Sequence, residues 1–194
     1  YEIFIRQIKT YADYSDQFKF SKNETAELIR NWIEGKKILS WGCGTAYIEE
    51  MHFPNEDITL MDNAKIYEYS KRKVNSENIL KTWRGNCIIC MGVVSHMNKS
   101  EIDQLFFKSS VLLDNNGILL LSHTPRAGLL GSFLYILKTF IKFLLHANRT
   151  YVLWGWRRSN EYYELIASKY NLYKIEKIKK SSNNEDIIVF RKFN

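Results

Sequence analysis

The chain has 194 residues, of which 45% are hydrophobic and 25% charged. That suits one domain with a full core, leaves little room for a second, and excludes a disordered or fibrous protein. A formal net charge of +7 favours an anionic partner, but the basic residues are scattered through a chain rich in Lys, Asn and Ile, a pattern that biased base composition also produces.

The opening residues show no period beyond scattered Tyr and Phe, and no signal peptide is visible; the chain begins at Tyr1 instead of Met, as a trimmed or partial chain would. Residues 21–35 (SKNETAELIRNWIEG) predict a helix, with Glu24 in its first turn, apolar Ala26, Leu28, Ile29, Trp32 and Ile33, and Gly35 as the stop. We read 1–35 as an N-terminal helical cap. KKILSW (36–41) predicts a buried strand, followed by a glycine turn and a short helix reaching Met51. DITLMD (57–62) predicts a second strand, AKIYEYSKRKV (64–74) a basic helix, and ENILKTW (77–83) a third strand. NCIICMGVV (86–94) predicts a fourth strand, SEIDQLFFKSSVLLDNNG (100–117) a helix with a Ser cap and an Asn-Gly end, and ILLLSHTP (118–125) a fifth strand.

Residues 129–156 are apolar for long enough to suggest a membrane span, but Lys138 and Lys142 interrupt the run. On a helix Tyr135, Lys138, Lys142, His146 and Arg149 form one polar stripe. The segment reads as a lid helix over the substrate, within an insert at 125–158. A sharper reading makes 129–149 an interfacial helix in peripheral contact with a membrane, reaching a lipid-linked acceptor. WRRSNEYYELIASKY (156–170) predicts a further helix behind Arg157 and Arg158. NLYKIEKIKKS (171–181) and EDIIVFRKF (185–193) flank SNN as an antiparallel hairpin.

Only three cysteines occur, Cys43, Cys87 and Cys90, which fits a reducing, cytoplasmic setting and excludes a disulfide framework. Cys87 and Cys90 are three apart on a strand and so point to opposite faces, which makes them core residues and not a chelating pair; no metal site is expected. Strands alternating with helices give an α/β fold. It is a Rossmann-like, doubly wound, mostly parallel sheet of seven strands, ending in an antiparallel hairpin, with a helical lid after the fifth strand. The whole chain, 1–194, is one domain.

At the end of the first strand Gly42 and Gly44 permit a tight turn and keep side chains away from a ligand. Ligands of open α/β sheets sit at this end of the strands. Asp62 ends the second strand, where a carboxylate accepts both hydroxyls of a ribose. ILSWGCGTAYIE (38–49) resembles the first motif of class I S-adenosylmethionine (SAM)-dependent methyltransferases, Leu-Asp-x-Gly-Cys-Gly-Thr-Gly. MDNA (61–64) resembles their acidic second motif, ICMGVVSHM (89–97) their fourth-strand run, and LLDNNGILLLS (113–122) the element that follows.

The resemblance implies SAM as cofactor, with Gly42, Cys43 and Gly44 along its methionine part through the backbone, and Asp62 on the ribose. It also implies Asn63 at the adenine edge and Met91 and Gly92 under the sulfonium. Trp41 or Trp83 is a candidate aromatic surface for the base, against burial in the core. Two residues depart from the motif. Ser40 replaces its acidic residue, removing a charge that would help order the loop, and Ala46 replaces its third glycine, a mild change for helix–strand packing. The connection at 81–86 also lacks the acidic residue usual near the adenine.

His96 and His123, after the fourth and fifth strands, are the candidate bases, and Arg126 the candidate anchor for an acidic acceptor. The expected enzyme is a SAM-dependent methyltransferase that modifies a small-molecule or glycan-type or lipid-linked acceptor, at oxygen. The chain lacks the Asn/Asp-Pro-Pro-Tyr/Phe tetrad of base-amino methylation, MGVV (91–94) standing in its place. The alternatives are an RNA methyltransferase, disfavoured because the lysines form no single stripe, and a non-catalytic partner subunit of the same fold.

Overall fold

The computed structural model describes residues 16–62, 72–125, 137 and 157–193. Its sheet has seven strands in the order β3-β2-β1-β4-β5-β7-β6. They are β1 (Ile38–Trp41), β2 (Ile58–Met61), β3 (Val74–Asn75), β4 (Gly85–Cys90), β5 (Leu113–His123), β6 (Leu172–Lys179) and β7 (Asp186–Lys192). The pairs among β1 to β5 are parallel, and β7 enters antiparallel to β5 and β6. The helices are α1 (Asp16–Ile33), α2 (Tyr47–His52), α3 (Lys99–Leu112) and α4 (Asn160–Ser168).

Alternation along the strands decides which helix covers which face. Leu39, Ile88, Cys90, Leu119, Leu121, Ile188 and Phe190 turn to the side covered by α3 and α4, where Phe106 meets Phe190 edge-on at 5.3 Å. Ile38, Cys87, Ile89, Ile118, Leu120, Ile187 and Val189 turn to the side covered by α1 and α2. Cys87 and Cys90 therefore lie in opposite halves of the core. Helix α1 is part of this packing: Ala26, Ile29 and Ile33, at spacings of three and four, form its buried face. Its other tie is polar. Glu24 accepts hydrogen bonds from the backbone of Ser181 (2.6 Å) and Ser182 (3.0 Å), and Lys180 reaches Ser21 and Glu185, so the hairpin turn is fastened to α1.

Several element boundaries differ from the sequence expectation; the fourth strand, for one, ends at Cys90 and not at Val94. The third strand is Val74–Asn75, and Glu77–Lys81 forms a 3-10 turn in place of a strand at 77–83. Helix α3 stops at Leu112, because Leu112 and Leu113 are both buried and Leu113 already pairs with Gly85 of β4. The stretch Asp114–Gly117 is an irregularity at the start of β5, with Asn116 left-handed at φ 63°. The cap of α3 is Asn98 and not Ser100: Asn98 and Glu101 form a reciprocal capping box. Asn63, Arg126, most of the expected basic helix at 64–74 and nearly all of the 125–158 insert lie outside the described residues. Among the described residues no helix is long and apolar enough to cross a membrane, and no group of His, Cys, Asp and Glu is placed to hold a metal ion.

Candidate active site

The parallel strands β1, β2 and β4 end side by side, and the residues expected at the cofactor come together there. After Trp41 the chain turns back on β2, with the backbone N–H groups of Gly42 and Cys43 donating to the Met61 carbonyl at 2.8 and 3.2 Å. The Gly44 N–H donates to Oδ2 of Asp62 at 2.8 Å. This bond sets the carboxylate against the turn from the neighbouring strand, and Asp62 is itself placed by its N–H bond to the Asn75 carbonyl of β3.

Gly42 (φ 76°), Gly44 (φ 55°) and Gly92 (φ 74°) all occupy the left-handed region, which glycine enters without steric cost. They differ in surroundings. A Cβ on Gly42 would stand 2.6 Å from Cγ2 of Val93, whereas one on Gly44 or Gly92 would meet nothing within 4 Å. The first glycine lets the β1 and β4 ends press together. The other two face open space, Gly44 beside the Asp62 carboxylate and Gly92 at the end of β4, positions that a side chain would fill. Gly92 is held by its N–H bond to Oγ of Ser122 on β5 at 2.7 Å. Met91 and Trp41 are half-buried.

The two departures from the motif acquire physical content here. Ala46 is fully buried, as close packing requires, but its backbone is left-handed at φ 54°. The substitution is therefore strained, a cost of about 1–2 kcal/mol for an L-residue, and not the mild change expected. Ser40 does not leave its surroundings without a carboxylate: its hydroxyl donates to Oε1 of Glu49 on α2 at 2.5 Å, and both residues are buried. Burial pushes the Glu49 carboxyl above its ordinary value, against the opposing hydrogen bond from Ser40. Burial likewise raises the Cys43 thiol, with the Glu49 and Asp62 charges adding to it, so the residue between the glycines is a neutral thiol.

Because β3 ends at Asn75, the connection to β4 runs over 76–84 and is longer than 81–86. Its one acidic residue, Glu77, is ion-paired with Lys108 of α3. Trp83 is buried beside Gly85, at the start of β4 and the opposite end of the strand from the turn. It is a core residue.

His96 closes the turn after β4 and is exposed. Arg158 pins this turn, donating to the carbonyls of Val94 (3.2 Å) and Met97 (2.7 Å). His123 ends β5 and is buried. Its Nε2 lies 2.6 Å from Oδ1 of Asn160, the first residue of α4. The amide of Asn160 donates through Nδ2 to Oδ2 of Asp186 at 3.3 Å, and a carboxylate accepts only from the N–H end. Asp186 thus fixes the amide, the amide presents oxygen to the ring, and His123 must carry its proton on Nε2. Among the described residues, its Nδ1 and the buried hydroxyl of Tyr162 have no hydrogen-bond partner of good geometry. Tyr163 packs on the imidazole at 4.7 Å and on Tyr162 at 5.5 Å. Burial lowers the His123 pKa, in spite of Asn160 and Asp186, which keeps the ring neutral near pH 7. Val93, Ser122 and Glu49 lie within the motif segments without a role assigned to them there, and Asn160 lies outside them all. Each was hidden because its role depends on a contact between distant elements.

Comparison with solved structures identifies the fold. A methyltransferase from Thermotoga maritima, described as a possible histamine N-methyltransferase, superposes with a TM-score of 0.71 over 98% of both chains at 11% identity. The fold is that of the class I SAM-dependent methyltransferases. Human N-acetylserotonin methyltransferase, solved with SAM, gives a TM-score of 0.67 at 16% identity over 98% of this chain. The pyocyanin biosynthetic protein PhzM gives 0.67 at 11% identity over 88%. This chain spans only 56% and 55% of those two longer proteins. No family model and no curated protein matches the sequence. In the methyltransferase fold, the glycine turn after β1 and the carboxylate after β2 occupy the strand ends at which open α/β sheets bind ligands.

Proposed function

We propose that the chain is a SAM-dependent methyltransferase acting at an oxygen of a small-molecule, glycan-type or lipid-linked acceptor. The observation that carries this reading is the Asp62 carboxylate fixed on the N–H of Gly44 at 2.8 Å, where Gly44 opens onto free space. The backbone of Gly42, Cys43 and Gly44 would hold the methionine part, Asp62 the ribose hydroxyls, and Met91 and Gly92 the neighbourhood of the sulfonium; Asn63 is proposed at the adenine. The solved complex of the human relative with SAM supports the cofactor. When bound, SAM supplies an electrophilic methyl group.

The chain's own part is to orient the acceptor and take its proton. His123 Nδ1 is proposed as the base: among the described residues it has no hydrogen-bond partner of good geometry, the Asn160 amide held by Asp186 faces its Nε2, and burial favours the neutral ring. A positioned base contributes ~10²–10⁴-fold. His96 is the second candidate, at the exposed rim, and Arg126 is proposed to bind an acidic group of the acceptor. Against the reading as a non-catalytic subunit stand the carboxyl that Glu49 places beside Ser40 and a connection to β4 longer than expected.

The domain is proposed to span 1–194, with the insert at 125–158 as lid and 129–149 as a peripheral membrane contact in a cytoplasmic enzyme. Failure to sediment with anionic liposomes would remove that contact. The test of the activity is transfer of label from methyl-labelled SAM to a panel of hydroxylated and carboxylated acceptors. Transfer by the wild type that drops at least about a hundredfold in His123→Ala supports the assignment. Equal transfer by both proteins overturns the base.

A further inference from the structure

We propose that the Ser40–Glu49 hydrogen bond is a clasp that holds the cofactor turn in its binding shape, with Glu49 as a positioning residue. The inference rests on the cofactor reading above and concerns how this particular chain meets it. Ser40 lies in β1, two residues before Gly42; Glu49 lies in the first turn of α2, three residues after Ala46. The bond between them, 2.5 Å and buried, therefore joins the two ends of the turn that carries Gly42, Cys43 and Gly44.

The turn needs such a tie. Three of its residues, Gly42, Gly44 and Ala46, are left-handed, and Ala46 holds that conformation against its own side chain. Ala46, at the N-cap position of α2, makes no side-chain cap bond. The remaining ties of the turn run to Met61 and Asp62 on one flank. The clasp supplies the other, and closing a loop at its base reduces the conformations open to it. Removing the hydroxyl leaves a buried carboxyl without its donor, which is costly. The charges of Lys22 on α1 and of Arg72 both favour the ionised form of Glu49, against its burial, and Arg72 donates its backbone N–H to the Glu50 side chain. A carboxyl in this place is thus set among groups that support it, and not a chance contact of the surface.

The test is amide hydrogen exchange over 42–46 in the ligand-free protein, with exchange across β5 as internal reference, joined to calorimetric titration with S-adenosylhomocysteine. The variants are Ser40→Ala, Ser40→Asp, and the pair Ser40→Asp/Glu49→Ser, which moves the carboxylate to the strand and the hydroxyl to the helix. Each single change is expected to speed exchange of the turn by about tenfold or more, relative to β5, and to weaken ligand affinity by a similar factor. Ser40→Asp also places two carboxylates in one buried spot. The pair is expected to return both quantities to within about threefold of wild type, a coupling that independent packing effects would not produce. A pair no better than the Ser40→Asp variant, or a Ser40→Ala turn that exchanges as slowly as wild type, overturns the clasp. Because exchange is read without ligand, a wild-type protein that does not bind S-adenosylhomocysteine rejects the cofactor reading while the exchange pattern still decides the clasp.

Discussion

Alanine at Gly42 and alanine at Gly44 are the same chemical change two residues apart, and they are expected to fail in different ways. At Gly42 the new Cβ must adopt φ 76° and stand 2.6 and 2.9 Å from the two Cγ atoms of Val93. The left-handed backbone costs about 1–2 kcal/mol. Val93 is stiff at χ1 and cannot swing clear, so overpacking adds about 1–3 kcal/mol. A loss of about 2–5 kcal/mol lowers the melting temperature by roughly 5–15 °C in a chain of this size. Gly44→Ala carries only the backbone cost, since nothing lies within 4 Å of its Cβ, and melts roughly 2–6 °C below wild type. Its methyl group enters the space proposed for the cofactor, so affinity for S-adenosylhomocysteine falls well beyond the stability effect. Thermal unfolding followed by calorimetry separates the two. Adding Val93→Ala to Gly42→Ala removes both clashing Cγ atoms, and the pair is expected to be about 1–2 kcal/mol more stable than additivity gives. Gly44→Ala falling as far as Gly42→Ala, or no coupling between 42 and 93, would refute the reasoning.

Ala46→Gly relieves strain of about 1–2 kcal/mol but gives up a buried methyl worth about 0.8 kcal/mol and frees the unfolded chain. Its stability should stay within about 1 kcal/mol of wild type by urea unfolding, and a loss above about 2 kcal/mol would contradict the left-handed conformation. If His123 is the base, activity belongs to its neutral form and is lost as pH falls through its pKa. Since burial depresses that pKa, the acid limb of kcat/KM lies below the ordinary histidine value near 6.5, and an acid limb well above it would count against His123. Asn160→Leu frees the tautomer and is expected to lower kcat about tenfold or more with little change in KM. Glu24 is held at a pKa of about 2, because hydrogen bonds from the backbone and hydroxyl of Ser181 and the backbone of Ser182 outweigh the opposing effect of burial. Its stabilisation is complete above the unfolded value near 4.3 and is lost as pH falls through the folded one. Glu24→Gln should therefore cost about 1 kcal/mol at neutral pH, after allowance for solvent. The gap in melting temperature between the two proteins should close towards pH 2; a gap independent of pH contradicts the pairing.

The apolar runs ILSW and NCIIC were enough to place β1 and β4 in a two-sided core, because a buried parallel strand leaves an apolar run in any context, and EDIIVFRKF beside SNN was enough to place β7 in an antiparallel hairpin. The glycine turn and Asp62 were legible for a related reason: their chemistry is local to strand ends. ENILKTW misled because its apolar residues suit a strand, while the strand next to β2 formed two residues earlier, at Val74–Asn75. DNNG carried the turn chemistry expected of a helix end, and the structure uses it inside a strand after burial of Leu112 and Leu113 ends the helix. Ser40 showed a missing charge, but nothing in the sequence marked Glu49 as its replacement, since only folding of α2 onto β1 brings them within 2.5 Å. Asn160 was equally silent, 37 residues beyond the imidazole it orients.

The most direct measurement of the central claim is calorimetric titration of the purified protein with S-adenosylhomocysteine, wild type against Asp62→Ala, with thermal unfolding to verify that both are folded. The account predicts saturable binding of one ligand per chain to the wild type and a loss of about tenfold or more in the variant, the worth of hydrogen bonds to a charged group. A wild-type protein that does not bind, or binding that Asp62→Ala leaves unchanged, would contradict it.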